Sequence, residues 1–350
     1  MFEKATSSPN DIDPRFYQRG GRLDVALEVY PNAPQPWIDL STAISPWSYP
    51  YPPLADSEMH RYPNEVALQR LTKAAKKAYR APAVADAVPV PGVNLGLSVL
   101  PWFFREPKRV AVLAPEHSGH AAAWEAAGHS VSQIESMDRV GNAAILIVVN
   151  PSNVDGRVVP HGDLAASLPP LKRRDGLLIV DETFADADPS HSLLPEVARL
   201  DYTLVLRSLG EFYGAAGIGL GFAVTSHPIT ERLRSALGAW PVSAQAMAFG
   251  EAALADTVWA ESQRARLKEA AKAMDAALEA AGLRILGGQA LFRLAACTSG
   301  RQLFSHLASQ GILTWPFQDR NALRFGLPRD EEELSRIRQA LQSWCAISAD

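Results

Sequence analysis

The chain has 350 residues, of which 47% are hydrophobic and 21% are charged, and its formal net charge is −4. This length and composition allow a large buried core divided between two domains, and they argue against an intrinsically disordered chain. Lysine and arginine are scattered along the sequence, so no basic face for nucleic acid or for an anionic membrane is predicted.

The first 14 residues are polar and acidic, and they lack the basic end and apolar run of a secretion signal. No stretch approaches the roughly 18 uninterrupted apolar residues of a membrane-spanning helix, so a cytoplasmic location is the simplest interpretation. The two cysteines, Cys297 and Cys345, are far apart and lack metal-ligand spacing. They are predicted to be packing residues, and neither a zinc site nor a disulfide is expected.

The N-terminal 60 residues are rich in proline and aromatic residues, which predicts an extended arm because closely spaced prolines forbid a long helix. The next segment, Glu65 to Ala81, has apolar residues at helical spacing on one side and lysines on the other. This amphipathic pattern predicts a helix that packs against the body of the protein.

Four short apolar runs follow, separated by segments of helix length, and they predict alternating strands and helices. The strands are expected at Val110–Leu113, Ile145–Val149, Leu177–Val180 and Leu204–Leu206, and the helices at Leu95–Phe104, His120–Ala127 and His161–Leu168. Such alternation indicates an α/β fold with a doubly wound, mainly parallel sheet. Sheets of this kind bind ligands at the carboxyl ends of their strands, so polar residues that follow the strands are the first site candidates.

The C-terminal part is predicted to leave this sheet and form a small α+β domain. The last strand of the sheet is expected at Gly219–Val224, and helices at Ile229–Leu237 and Ala244–Ala281 lead out of it. The small domain is predicted from strands at Leu291–Leu294 and Leu323–Phe325 and helices at Gly300–Ser309 and Glu331–Trp344. The predicted domains are an N-terminal arm at 1–60 that contributes to the small domain, a large domain at 61–265 and a small C-terminal domain at 266–350.

Six sequence blocks in a fixed order carry a resemblance to a known family, namely residues 39–47, 150–157, 181–186, 207–222, 237–243 and 323–328. With these blocks the chain resembles the fold-type-I pyridoxal-phosphate (PLP) enzymes. It is most similar to the threonine-phosphate decarboxylases of cobalamin biosynthesis and more distantly to histidinol-phosphate aminotransferases. The resemblance implies a PLP-transferase large domain, a small α+β domain, an N-terminal arm and a homodimer.

The resemblance also implies roles for five residues that match the family's motifs. Asp181 would pair with the pyridine nitrogen of the cofactor, Asn153 with its phenolic oxygen, and Ser208 with its phosphate. Tyr62 would reach the phosphate of the neighbouring subunit, and Arg324 would hold a substrate carboxylate. Taken alone, Asp181 could instead cap a helix, Asn153 could lie in a turn, and Arg324 could form a surface ion pair.

Two positions in the block at residues 207–222 depart from the family. Glu211 occupies the position of the lysine that forms the internal aldimine, and Gly219 that of an arginine that binds the phosphate. At roughly 5 Å and an effective dielectric constant of about 20, one charge pair contributes about 3 kcal/mol. Losing one attraction and adding one repulsion therefore predicts weak PLP binding by the family's route.

Smaller departures surround the same predicted pocket. His117 stands where the family has a ring-stacking aromatic residue, and Val93, beside Asn94 in the predicted phosphate loop, where it has a hydroxyl. Arg19 stands where related decarboxylases have a histidine, and Ser45 where they have an asparagine. A cluster of substitutions around one pocket indicates relaxed or redirected function.

Two functional hypotheses follow. In the first, the chain is a lysine-less relative, a pseudoenzyme that forms no internal aldimine and acts as a ligand-binding, regulatory or non-PLP catalytic protein. In the second, it is an active decarboxylase of L-threonine O-3-phosphate, or an aminotransferase, that holds its cofactor non-covalently while His117 or Glu211 moves the proton. A deliberate replacement of a native lysine by Glu211 would leave Gly219 unexplained.

Overall fold

The computed structural model describes residues 12–51, 53–116, 119–196, 202–318 and 321–348. The chain divides into two compact units. The large unit runs from Trp47 to Arg264, and the second unit combines the residues up to Pro46 with those from Ala265 onwards. The division at Pro46 differs from the predicted arm boundary at residue 60 because Tyr49 packs within the large unit, where its backbone N–H donates to the carbonyl oxygen of Tyr213 at 2.9 Å.

The elements before the central sheet are short, as expected for a proline-rich segment. They are helices α1 (Arg15–Gln18) and α2 (Leu23–Val29), strand β1 (Ile38–Asp39), and helices α3 (Asp56–Met59) and α4 (Glu65–Ala78). Helix α4 begins after Asn64, whose side chain accepts a hydrogen bond from the N–H of Ala67. The arm is therefore extended only between these short helices.

Seven strands form the central sheet of the large unit. They are β2 (Asp86–Val90), β3 (Arg109–Leu113), β4 (Ser130–Ile134), β5 (Ile145–Val149), β6 (Leu177–Asp181), β7 (Thr203–Ser208) and β8 (Gly221–Thr225). Their order across the sheet is β2-β8-β7-β6-β5-β3-β4, and only β8 runs antiparallel to its neighbours. The predicted mainly parallel α/β sheet is confirmed.

All four predicted strands of the sheet interior are present, whereas β2 and β4 were not predicted. Strand β4 lies at the edge of the sheet and is mostly exposed or half-buried, so it lacks the continuous apolar run that marks an interior strand. Strand β2 lies at the opposite edge and contains Pro89, a residue that argues against a strand in sequence analysis but is tolerated at an edge.

The remaining helices of the large unit are α5 (Val93–Val99), α6 (His120–Ala126), α7 (His161–Lys172), α8 (Ile229–Leu237) and α9 (Ala244–Ala255). The predicted helix from Leu95 to Phe104 is α5 followed by a 3₁₀ turn at Leu100–Phe103. The predicted segment Ala244–Ala281 is two helices, α9 and α10 (Thr257–Ala280). They separate at Asp256, whose carboxylate accepts the N–H of Trp259 at 2.9 Å and so begins the second helix.

The second unit contains the predicted α+β domain. Its four-stranded antiparallel sheet has β9 (Arg284–Gln289) at one edge, and the strands follow in the order β9-β10-β13-β12. The other elements are β10 (Phe292–Ala296), α11 (Gly300–Ser309), β11 (Ile312–Leu313), β12 (Trp315–Pro316), β13 (Ala322–Phe325) and α12 (Glu331–Ser348). Strand β1 pairs in parallel with β11, which ties the N-terminal residues to this unit. In the part of the chain that the structure describes, no helix is long and apolar enough to cross a membrane.

Candidate functional site

The strand order of the large unit reverses between β3 and β5, since β4 lies on the outer side of β3. At such a switch point the loops after the two strands separate and leave a crevice at the carboxyl edge of the sheet. Asn153 lies in a turn four residues after β5, Asp181 is the last residue of β6, and Ser208 is the last residue of β7. The structure therefore brings these three predicted site residues to one edge of the sheet.

Asp181 is buried, and both of its carboxylate oxygens have partners. Oδ1 accepts hydrogen bonds from the backbone N–H and the hydroxyl of Thr183 at 3.0 and 2.6 Å, and Oδ2 lies 3.2 Å from Nε2 of His120. His120 is also buried and is the first residue of α6. These contacts fix the carboxylate at the sheet edge. A turn follows at residues 183–187 in place of a helix, so Asp181 does not serve as a helix cap.

His120 was not among the site residues predicted from the sequence. The available signal was a polar residue at the start of the helix that follows β3, next to the switch point, but its pairing with Asp181 crosses 61 residues. Such a pairing depends on the strand order, which a single sequence does not reveal. His120 is a positioning residue for Asp181, because the tautomer that carries its proton on Nε2 donates to Oδ2.

A second buried cluster lies beside Asp181 and was also missed. Arg207, on β7, donates from Nη1 to Oε2 of Glu182 at 3.0 Å and from Nη2 to Oδ1 of Asp186, and its guanidinium lies 4.3 Å from the ring centroid of Tyr79. The Glu182 carboxylate also accepts the hydroxyl of Ser192 at 2.6 Å. One buried guanidinium thus forms ion pairs with two carboxylates. These ion pairs join β7 to the loop that follows β6.

Glu211 lies in the loop three residues after β7, and among the residues that the structure describes no cation pairs with it. Its Oε2 is buried and has no hydrogen-bond partner among the described residues. Burial raises the pKa of Glu211 to about 7, repulsion from Asp181 and Asp186 adds to this increase, and a hydrogen bond with Ser208 opposes it. Near neutral pH the carboxyl group of Glu211 is therefore present in both its neutral and its charged form.

The predicted phosphate loop and the turn at Gly219, where an arginine is expected from the resemblance, lie close together. Gly219 has a left-handed conformation with φ of 64°, and a Cβ atom placed there would meet no atom within 4 Å. A Cβ atom on Gly92, the residue before α5, would lie 3.9 Å from Cα of Gly219, so the two turns face each other. The sequence supplies no cation at position 219, and the space beside it is open.

Two further residues were predicted to bind the cofactor, Val93 and Asn94. Val93 is buried in the hydrophobic core of the large unit, so only its backbone is available to a ligand at the predicted phosphate loop. Asn94 is exposed, and its carbonyl oxygen accepts the hydroxyl of Ser98 at 2.9 Å. The Val93 side chain packs against β8, and the predicted contact of this residue with a cofactor remains a prediction.

The described lysines of the large unit lie away from the carboxyl edge of its sheet. Lys108 and Lys172 precede β3 and β6 and so belong to the amino edge of the sheet. On α4, Lys76 donates to the carbonyl oxygen of Ala83, before β2. The other described lysines are exposed: Lys73 and Lys77 on α4, and Lys268 and Lys272 on α10. No described lysine of the large unit replaces the one absent at position 211.

The other predicted site residues have the following positions. Tyr62 is exposed, and its ring stacks on that of Trp240 at a centroid distance of 4.3 Å and an angle of 10°. Within the second unit Ser45 is buried and Arg19 is exposed. His117 lies outside the described residues. Their proposed ligand contacts remain predictions.

Arg324 is a buried residue of the second unit, which corrects the alternative of a surface ion pair. Its Nη2 donates to the carbonyl oxygen of Ser41 at 3.0 Å, and its guanidinium lies 4.2 Å from the ring centroid of Trp315. These contacts hold the guanidinium in one orientation. Its predicted contact with a substrate carboxylate remains a prediction. Within the described ranges, no group of three or more histidine, cysteine or acidic residues could hold a metal ion.

Comparison with known proteins gives matches over most of the chain. The family described as Aminotransferase class I and II matches residues 51–341. The threonine-phosphate decarboxylase of Pseudomonas aeruginosa is 36% identical over 327 residues, which cover 93% of this chain and 97% of that protein. Sequence similarity thus extends across both units.

Solved structures show the same fold. The histidinol-phosphate aminotransferase from Clostridium acetobutylicum matches with a TM-score of 0.78 and 19% identity, covering 88% of this chain and 99% of that chain. The histidinol-phosphate aminotransferase from Sinorhizobium meliloti, solved in complex with pyridoxal-5'-phosphate, matches with a TM-score of 0.73 and 16% identity, covering 97% and 98%. The predicted fold-type-I PLP-transferase architecture is confirmed.

Proposed function

Because the chain belongs to the class I and II aminotransferase family but has a glutamate at the lysine position, we propose that it binds a small ligand without forming an internal aldimine. It would act as a ligand-binding or regulatory protein, or catalyse a reaction that needs no lysine. The observation that carries this proposal is the buried Oε2 of Glu211, which has no partner among the described residues.

A comparison of the site with the requirements of PLP supports the proposal. Asp181, Asn153 and Ser208 suit the pyridine nitrogen, the phenolic oxygen and the phosphate that the resemblance implies. Glu211 offers no amine, and its ionised carboxylate would repel a phosphate near Gly219. The residues present therefore do not fit a covalently held PLP.

A titration with PLP tests this proposal. We expect the wild-type protein to show no aldimine absorbance above the background that surface lysines give in Glu211→Gln, because neither a carboxylate nor its acid condenses with an aldehyde. The matched variants are Glu211→Lys and Glu211→Lys/Gly219→Arg, and the double variant is expected to form the aldimine. Aldimine absorbance from the wild type above that background would overturn the proposal.

A second candidate is an active PLP-type decarboxylase or aminotransferase whose cofactor is held without a covalent bond. Two observations favour it: His120 and Thr183 hold Asp181 in place, and the Pseudomonas aeruginosa relative is named a threonine-phosphate decarboxylase. Release of carbon dioxide from O-phosphothreonine after addition of PLP would support this candidate. No release above that of a heat-denatured control would remove the decarboxylase activity.

We also propose that the chain forms a homodimer through the surface around Tyr62. Large apolar side chains are exposed there, namely Met59, Tyr62, Val66 and Trp240. A groove of about 690 Å³, lined by α4 and residues 237–241, is adjacent in sequence to this patch. Monomeric proteins rarely expose apolar clusters of this kind, so a second copy is a suitable partner.

Sedimentation velocity over a range of protein concentrations tests the dimer. We expect a dimer for the wild type and a shift towards monomer for Tyr62→Ser/Trp240→Ser, because these changes remove two exposed aromatic rings. Trp102→Ser is the matched control, since Trp102 is equally exposed but lies in the turn after α5. A monomeric wild type at all concentrations would contradict the proposal.

A further inference from the structure

The carboxyl edge of the sheet holds more negative than positive charge. Glu182 and Asp186 share Arg207, and Asp181 is held by His120 and Thr183. Glu211 is left with Ser208 as its side-chain hydrogen-bond partner, and its Oε2 has none among the described residues. An ionised carboxylate in a buried position is costly unless a cation or several donors compensate it.

The chemistry of this carboxylate restricts what can compensate it. A metal ion needs several ligands, and no suitable group exists within the described residues. A phosphate would add negative charge beside Glu211 and Asp181, and position 219 supplies no cation to offset it. An ammonium group carries one positive charge and three donors, which matches a carboxylate with a vacant acceptor atom.

We propose that this site binds a primary amine that lacks a phosphate group, and that the ammonium group pairs with the carboxylate of Glu211. This inference rests on the proposed absence of an internal aldimine, because a bound aldehyde would condense with the amine and leave no ammonium group to pair with Glu211. It extends that function by giving the ligand a chemical class.

The local geometry supports direct contact between the ammonium group and Glu211. The hydroxyl oxygen of Ser208 accepts the backbone N–H of Gly210 at 3.0 Å, so its own proton can be donated to Glu211. That bond holds the Glu211 carboxyl at the end of β7 and leaves Oε2 for the ligand. The open space beside Gly219, where the family has an arginine side chain, provides room near this edge.

The proposal predicts a specific dependence on pH. The charged groups that act on Glu211 are Asp181 and Asp186, while His120 lies behind Asp181. With a pKa of about 7, Glu211 is mostly ionised at pH 8 and about 3% ionised at pH 5.5. Since only the ionised form pairs with ammonium, the apparent dissociation constant should rise about 30-fold between these two values of pH.

Calorimetric titration with three probes tests the proposal on the full-length wild-type protein. Ethanolamine supplies the ammonium group, ethylene glycol is its uncharged analogue, and O-phosphoethanolamine adds the phosphate. We expect ethanolamine to bind more tightly than both of the others at pH 8 and to weaken at pH 5.5. Tighter binding of O-phosphoethanolamine, or no binding of ethanolamine, would overturn the proposal.

Variants locate the effect at Glu211. Glu211→Gln should weaken ethanolamine binding at pH 8 at least tenfold and remove the pH dependence, whereas Glu211→Asp should retain the pH dependence. Glu125→Gln, which changes an exposed carboxylate on α6, is the matched control and should bind like the wild type. Unchanged binding by Glu211→Gln would overturn the amine site.

The same protein samples separate the two proposals. If the wild type forms no aldimine with PLP and Glu211→Gln binds ethanolamine unchanged, only the amine site fails. If the wild type forms an aldimine, the proposed function fails and the amine site fails with it.

Discussion

At the scale of single residues, Glu211 links the site to the stability of the fold. Burial raises its pKa from 4.5 to about 7, so the folded protein retains a proton that the unfolded chain releases. The free energy of unfolding therefore falls as pH rises from 4.5 to 7. The total decrease is at most about 3.5 kcal/mol, since each pKa unit corresponds to about 1.4 kcal/mol.

Glu211→Gln tests this linkage because glutamine cannot ionise. The variant is expected to be more stable than the wild type at pH 8, by at most about 3.5 kcal/mol, and to differ little from it at pH 4.5. Urea unfolding at both values of pH measures the difference, with Glu125→Gln as the exposed control. An equal stability difference at the two values of pH would contradict the assigned pKa.

At the scale of secondary-structure elements, Arg207 connects β7 to β6 and to the loop after it. Its two ion pairs are buried, and their geometry also satisfies Ser192. Removing one partner of a buried pair commonly costs about 3–5 kcal/mol because the remaining charge has no compensation. Arg207 thus stabilises the same sheet edge that presents Asp181 and Ser208.

Arg207→Met should therefore lower the free energy of unfolding by about 3–5 kcal/mol at pH 7, since it leaves Glu182 and Asp186 buried without a cation. The triple change Arg207→Met/Glu182→Gln/Asp186→Asn should recover part of that loss. Urea unfolding of both proteins measures the effect, and Arg232→Met provides a control on the exposed face of α8. A loss below 1 kcal/mol for Arg207→Met would show that the buried pairs contribute little.

The strands that sequence analysis identified are those with a continuous buried apolar run, such as Ile145–Val149, which is β5 without any change of bounds. Asp181, Asn153 and Ser208 could be placed at one edge because parallel strands share a carboxyl end. Pairings between distant segments could not be found this way, and His120 with Asp181 and Arg207 with Glu182 are examples. The break at Asp256 was missed because the helical periodicity continues on both sides of a single capping residue.

At the scale of the whole molecule, the chain combines a retained fold with an altered site. The family match over residues 51–341 covers the same strands that present Asp181, Ser208 and Glu211. The substitution at position 219 does not touch the core, since Gly219 borders open space. The fold can therefore persist while its chemistry changes, and the charges needed for PLP should be restorable on this scaffold.

The intact mass of the protein after incubation with PLP and reduction with borohydride tests most directly whether the chain forms an internal aldimine. Reduction converts an aldimine to a stable secondary amine, so a lysine-bound cofactor adds its mass to the chain. Accessible lysines elsewhere react slowly and set the background, which Glu211→Gln measures. We expect the wild type to equal that background and Glu211→Lys/Gly219→Arg to gain one cofactor. One cofactor bound stoichiometrically to the wild type, mapped by peptide mass to a lysine, would contradict the account.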